Sequence, residues 1–458
     1  VVKLYSFLHI KNERKPLMNK IISSEITHKR VLFLAFPVVL SNATIPILGA
    51  VDTAVVGQMG LATPIGAVGI AAVILTAIFW LFGFLRMGIS GLTAQALGEG
   101  NNIEANALLI RSLTIGFAIG LFFIVVQVPL FFGALWLSPA SMEVKSLAKE
   151  YLDIRIYSGP AVIGLYGITG WLIAKEKTKS VFFIQFFMNS INILLDVIFV
   201  LKFDMGVAGV AYASLIAEWT GLLIGIWVTK EAFGNRLWKN KNYIFDTVQL
   251  KRMAIVNSDI LVRTLLLQAA ILSFMFFGSS FDDETLAANQ ILIQFLHIAS
   301  YGLDGFAVAS ESLVGKAVGA KKIDNFRQTV KMTSMWGAIT VIIMAIFFGL
   351  FGGILISLMT TSNDVQYITV QYLPWMIIAP LIGAASWMLD GIFIGATRTA
   401  DMRNMMLISF AIYIVSLFIF LPSFGNHGLW LALIVFYMAR GITLGFRFKK
   451  IELTMISN

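Results

Sequence analysis

Leu92-Thr93-Ala94-Gln95-Ala96-Leu97-Gly98 returns 221 residues later as Leu313-Val314-Gly315-Lys316-Ala317-Val318-Gly319, with Leu, Ala and Gly kept in register. The same offset holds outward in both directions, where Gly57, Ala67, Ile70 and Thr178 recur as Gly278, Ala288, Ile291 and Thr399. A chain that repeats at one spacing over most of its length is built from two related halves. Both halves consist of apolar runs of about 20 residues, enough to cross ~30 Å of hydrocarbon. Two such bundles can rock against each other about a shared cleft, so the pattern points to a transporter.

Composition agrees. Of 458 residues, 58% are hydrophobic and 13% charged, whereas soluble domains carry roughly 25% charge. The chain has no cysteine, which excludes disulfides and thiolate metal sites, and His9, His28, His297 and His427 are too scattered to form a metal cluster. No GxxxxGK[ST] loop is present, and Val314-Gly315-Lys316-Ala317 lacks both the upstream glycine and the hydroxyl. With no nucleotide site and no cofactor motif, uphill transport has to draw on an ion gradient. An enzyme is not indicated, since no Ser/His or His/Asp pair shares a depth. The formal charge of +9 resides in short loops between apolar runs, where membrane topology explains it without nucleic acid.

The apolar runs predict an all-α membrane protein of twelve spans, near 31–56, 65–94, 105–132, 150–174, 180–201, 207–229, 253–278, 285–313, 332–358, 367–394, 403–421 and 427–446. Loops with Lys175/Lys177/Lys179, Arg236/Lys239/Lys241/Lys251/Arg252, Lys316/Lys321/Lys322/Arg327 and Arg398/Arg403 fall on one side, as do both tails. The positive-inside rule then makes both termini cytoplasmic. One loop resists: residues 95–104 carry Glu99 and Glu104, with Arg111 the nearest base. Six spans separate repeat partners, so the halves enter the membrane in the same direction, related by an axis along its normal.

The expected organisation is a cytoplasmic tail over 1–30, a first six-helix lobe over 31–229 and a linker over 230–252. A second lobe over 253–446 and a tail over 447–458 complete it. Phe233, Arg236, Trp238, Lys239 and Tyr243 suit an interfacial helix in the linker. Residues 1–17 precede Met18, lack the apolar core of a signal peptide and read as an upstream extension.

Charges inside spans are costly, roughly +2.5–3.5 kcal/mol each, and so invite a functional reading. Asp52 lies near the outer end of span 1, Asp196 near the outer end of span 5, and Ser214 just inside the outer start of span 6. At 1.5 Å per residue all three share a layer about 6–11 Å below the outer surface. Asn192 is one turn from Asp196 on the same face. Two carboxylates, an amide and a hydroxyl at one depth suit Na⁺, which takes hard oxygen ligands, or shared protons, which paired carboxylates retain in low dielectric. The repeat replaces Asp52 by Ser273 and Asp196 by Leu417, so this site belongs to the first half alone. Pro37, near the start of span 1, is a candidate bend.

Other intramembrane groups are less telling. Asp259 and Arg263, spaced i, i+4, are expected to neutralise each other. Asp390 could line a cavity from the second half, as could Asp259 and Met275, one of nineteen methionines able to supply adaptable walls. Arg86 and Arg155 read as ties between helices, while Glu218 and Glu311 have no partner evident in the sequence.

These residues resemble the multidrug and toxic compound extrusion (MATE) transporters, in particular the prokaryotic branch named for the DNA-damage-inducible F protein. The likeness rests on Phe36-Pro37…Pro46…Asp52-Thr53…Gly57-Gln58, Gly91-Leu92…Ala96…Gly98-Glu99-Gly100, Asn192…Asp196 and Gly206-Val207-Ala208-Gly209-Val210-Ala211, with Asp390-Gly391-Ile392-Phe393-Ile394-Gly395-Ala396. It implies a monomeric inner-membrane antiporter that expels amphipathic, often cationic drugs in exchange for H⁺ or Na⁺. Two six-helix lobes in a V would enclose a central cavity. It also implies that Asp52, Asn192, Asp196 and Ser214 form the ion site and that span 1 bends at Pro37. Ser214 stands where the branch often has threonine. The alternative is a lipid-linked glycan flippase of the related superfamily, which commonly has more spans and a basic cavity.

Overall fold

The computed structural model describes residues 25–59, 62–234 and 240–456. Residues 1–17, together with Lys20, Arg236, Trp238 and Lys239, lie outside them. The described residues are helical throughout, without strands. The first half contains α1 His28–Gly57, α2 Ala62–Trp80, α3 Phe84–Gly98, α4 Asn102–Val125, α5 Gln127–Leu137, α6 Met142–Arg155, α7 Gly159–Ala174, α8 Thr178–Asp196 and α9 Gly206–Val228. The second contains α10 Thr247–Gly278, α11 Asp283–Gly319, α12 Ile323–Met359, α13 Asn363–Gly395 and α14 Thr399–Ile456. Among the described residues, ten helical segments are long and apolar enough to cross a membrane. Their lipid-facing surfaces explain why large residues such as Val125, Phe276 and Phe418 stand exposed.

Helix boundaries follow local chemistry. Thr27, Asn101, Ser141, Asp246, Asp282 and Ser362 each cap a helix start by accepting a backbone N–H from the first turn. α14 absorbs two of the expected spans, interrupted at Gly425, whose φ of 55° and ψ of −132° break the helix. α1 runs as one continuous helix through Pro37 and Pro46.

The repeat is written in the backbone as well as in the sequence. Gly100 and Lys321, Glu176 and Thr397, and Asp204 and Gly425 all take positive φ, each pair at the 221 offset. Only one member of the first and third pairs is glycine, so the shared turn geometry is partly hidden from the sequence. Equivalent packing recurs too. A Cβ on Gly170 would overlap the Arg86 carbonyl oxygen, and one on Gly391 would overlap that of Ala307, its counterpart.

Between the halves, α1 packs against both α8 and α11, and α3 packs against α11. In the linker the described residues before α10 form a 3₁₀ turn at Lys230–Phe233 and one helical turn at Lys241–Ile244, while Arg236, Trp238 and Lys239 of the expected interfacial helix lie outside the described residues. Ala232 and Ile244 are buried. Arg111 explains this, because its guanidinium donates to the carbonyls of Ile244 at 2.8 Å and Tyr243 at 2.9 Å. The same group pairs with buried Glu104, which neutralises one of the acids in the discordant loop.

Candidate ion site and the seam between the halves

α8 carries Gln185, Asn189, Asn192 and Asp196 at spacings of four, three and four residues, which places them on one helical face. This stripe faces α1. Asn189 Nδ2 donates to Thr44 at 2.9 Å, Gln185 Nε2 to Asn189 Oδ1 at 3.0 Å, and Asn192 Nδ2 to Ser214 Oγ at 3.1 Å. At the far end of the stripe the carboxyl of Asp196, fully buried, meets that of half-buried Asp52. All four residues expected at the ion site are therefore brought together by α1, α8 and α9.

No protein donor reaches Asp52 Oδ1, Asn192 Oδ1 or either oxygen of Asp196. Among the described residues Asp196 is the only buried carboxylate with both oxygens in that condition. Two facing carboxylates that lack donors repel unless a proton or cation lies between them. The donor set is all oxygen, the chemistry that a hard monovalent cation or a shared proton requires. No group of three or more His, Asp or Glu forms among the described residues, as a multivalent metal site would need. Directly after Asp196 the chain widens into a π-helical turn, Val197–Lys202, a distortion that is frequent at functional sites.

Behind the pair, Arg155 is bound by Glu218, with a second contact of 3.0 Å, and by Ser158 at 2.8 Å. Glu218 thus has the partner that its own sequence neighbourhood did not reveal. Arg86 of α3 lies 3.6 Å from Glu311 of α11 and ties one half to the other. In the second half, the positions equivalent to Asp52 and Asn192 are Ser273 and Tyr413, whose Oγ and OH lie 3.0 Å apart. No carboxylate takes part there.

The expected Asp259–Arg263 neutralisation does not occur. Asp259 is taken by Arg403 and, at 3.0 Å, by Thr399 Oγ1, while Arg263 reaches across to Asp390. Arg440 adds a second bond to Asp390 at 2.6 Å. Buried charges gain more from well-placed partners on neighbouring helices than from an i, i+4 neighbour on their own. Asp390, 5% exposed, is held between these two arginines. Met275 is half-buried and packs against the apolar core of the second half.

A cluster of polar contacts joins the halves at the end that carries the basic loops. Glu176 Oε1 accepts from Arg30 of α1 and Lys316 of α11, both at 2.6 Å. Burial pushes the Glu176 carboxyl up, but Arg30 and Lys316 outweigh it and hold it down at about 2. At the counterpart position Thr397 donates to Gln95 at 3.1 Å, and Arg252 donates to the same amide oxygen at 2.9 Å. Ser312 completes the seam by donating to the Ala174 carbonyl at 3.2 Å. Arg30 and Asp52 thus occupy opposite ends of α1, about 33 Å apart at 1.5 Å per residue.

Comparison with known proteins places this geometry in context. The sequence profile of the MatE family matches residues 37–198 and 260–419. The chain is 34% identical to the DNA damage-inducible protein F of Escherichia coli K12 over 419 residues, 91% of either chain. It is 24% identical to a probable multidrug resistance protein NorM of Halalkalibacterium halodurans, covering 93% of this chain and 94% of that one. Its fold superimposes on the Vibrio cholerae MATE transporter VcmN with a TM-score of 0.82 at 19% identity, covering 94% and 97%.

Proposed function

Because the chain belongs to the MatE family of multidrug and toxic compound extrusion transporters, we propose that it exchanges an incoming H⁺ or Na⁺ for an outgoing amphipathic, often cationic drug. The observation that carries this reading is the donor-free pair Asp52 and Asp196 beside Asn192 and Ser214. A carboxylate pair that lacks donors is stabilised by the ion it captures, so capture and release can drive a change of state.

The chain is a multi-pass membrane transporter. In the finer reading, α1 and the two arms of α14 on either side of Gly425 complete twelve passes in two lobes, 31–229 and 253–446, joined by the linker 230–252. Both termini are cytoplasmic, and the protein works as a monomer in a bacterial inner membrane. The basic end is then the cytoplasmic end, which is sealed in this conformation, and Asp52 and Asp196 lie towards the outside. α1 joins the seal at Arg30 to the ion site at Asp52, with Pro37 between them as the position at which bending couples the two. The flippase reading is disfavoured because the intramembrane arginines Arg86, Arg155, Arg263 and Arg440 are each committed to an acid.

The test is transport of ethidium in proteoliposomes under separately imposed pH and Na⁺ gradients. Gradient-driven movement by the wild type, lost in Asp52→Asn and in Asp196→Asn, supports the exchange and names the ion. Intact transport in both variants sinks the site.

A further inference from the structure

At the basic end a cavity of about 340 Å³ opens between the halves, close to the lower bound of roughly 300 Å³ for small-ligand pockets. Four cations face it: Arg30, Lys175, Lys177 and Lys316. Among the described residues, two carboxylates bind them. Lys175 and Lys177 both bind Glu231 Oε1, at 3.0 and 2.9 Å, and Arg30 and Lys316 both bind Glu176 Oε1 at 2.6 Å. Each carboxylate is therefore shared by two cations.

The arrangement is held in place. Lys175 lies 4.6 Å over the ring of Trp171. Glu176 sits at φ 61°, a left-handed turn that seats its carboxyl in the seam while its two lysine neighbours flank the cavity. Side-chain exposures of 21% for Lys175, 39% for Lys177 and 22% for Lys316 leave the ammonium groups within reach of a ligand. Leu97 and Leu313, one from each half, supply an apolar wall.

We propose that this cavity is a binding site for a phosphate group carrying two negative charges, whose occupancy pins the two halves together at their basic end. Ammonium and guanidinium groups are the usual phosphate partners, and basic pockets between membrane helices on the cytoplasmic side bind anionic head groups. The ligand touches Lys316 of one half and Arg30, Lys175 and Lys177 of the other, so it favours the sealed arrangement over any state that separates them. The same chemistry comes from a phosphomonoester lipid head group or from free phosphate. Placement on the cytoplasmic face rests on the orientation proposed above, whereas binding is read in detergent or nanodiscs, where sidedness plays no part.

The experiment uses the full chain and two probes: radiolabelled inorganic phosphate in neutral detergent, and thermal unfolding in nanodiscs of phosphatidylcholine with or without phosphatidic acid. One saturable phosphate site supports free phosphate as the source. Stabilisation by phosphatidic acid without phosphate binding supports the lipid. Either effect should weaken about thirtyfold in the Lys175→Gln/Lys177→Gln double variant, a factor of about five per lysine, and persist in Lys145→Gln, which changes a charge far from the cavity. Glu231→Gln, which takes away the anion that Lys175 and Lys177 share, should bind several-fold tighter and decides the matter if the double variant does not fold. Absence of both effects in the wild type, or equal effects in wild type and charge variants, overturns the proposal.

Discussion

Gly98 and Gly319 make the same contact in opposite directions. A Cβ on Gly98 would overlap the carbonyl oxygen of Lys316, and one on Gly319 would overlap that of Gln95, the repeat partner of Lys316. The seam is thus self-complementary about the pseudo-twofold axis. It closes only because both positions lack a side chain, and the obstructing atoms are backbone that cannot step aside.

Gly98→Ala and Gly319→Ala should therefore fold but resist sealing at the basic end. Overpacking of this kind costs about 1–3 kcal/mol, enough to shift the sealed population by roughly tenfold to a hundredfold. The absence of native cysteines allows spin labels at Glu99→Cys and Asp324→Cys to report the distance across the seam. An unchanged distance distribution in both alanine variants would refute the assignment.

Asp196→Asn should separate stability from function. Removing a buried charge that has no donor relieves a desolvation cost, and the new amide can donate to Asp52. The thermal midpoint should hold or rise while gradient-driven efflux disappears. A fall of several degrees would show that the carboxylate is structural.

Asp390→Asn should behave in the opposite way. It leaves Arg263 and Arg440, 6% and 1% exposed, facing each other without their shared anion. Breaking a buried charge cluster costs about 3–5 kcal/mol. Poor folding yield and a lowered unfolding midpoint are expected, with residual transport still responsive to the ion gradient. A well-folded Asp390→Asn with normal yield would contradict this.

Glu218→Gln should likewise destabilise by stranding Arg155, and Arg155→Gln by stranding Glu218. The double variant should recover a large part of the loss, because two neutral amides leave no unpaired charge. Additive losses in the cycle would show that the two groups act separately.

The Glu176 latch gives a pH expectation of definite sign. Its carboxyl is held at about 2, below the ordinary value of about 4.3. Its contribution is therefore complete above the ordinary carboxylate range and is lost only as pH falls towards 2. With the ion site neutralised by Asp52→Asn and Asp196→Asn, the seam distance should not change between pH 5 and 8, and Glu176→Gln should loosen it equally throughout. A seam that opens between pH 7 and 5 in that background would contradict this.

Much of the candidate site was legible because charge is conspicuous in an apolar run and depth follows from counting residues. Asp52, Asn192, Asp196 and Ser214 were placed in one layer on that basis, and they lie together. What depth cannot give is rotation about the helix axis. Arg155 and Glu218 are 63 residues apart, and Arg263 and Asp390 are 127 apart, so which cation faces which acid depends on packing that no local spacing records. Asn189 and Gln185 carried a readable signal, an i, i+4 stripe shared with Asn192 and Asp196, but uncharged polar residues cost little in a span and did not stand out. Of the fold, the apolar runs were legible throughout. The break at Gly425 marked the end of one run, but continuous helix on either side of it is a property of backbone angles alone.

The presence of Ser273 and Leu417 in the second half where the first half has Asp52 and Asp196 fixes a stoichiometric ceiling. On the reading proposed here, an exchanger with a single pair of titrating carboxyls admits at most two protons, or one Na⁺, per turn. A pH difference of one unit could then support a drug concentration ratio of no more than about a hundredfold for electroneutral exchange, a factor of ten per proton. The symmetric partner site, had it kept its acids, would have doubled the exponent and slowed each turn by the need to load both halves.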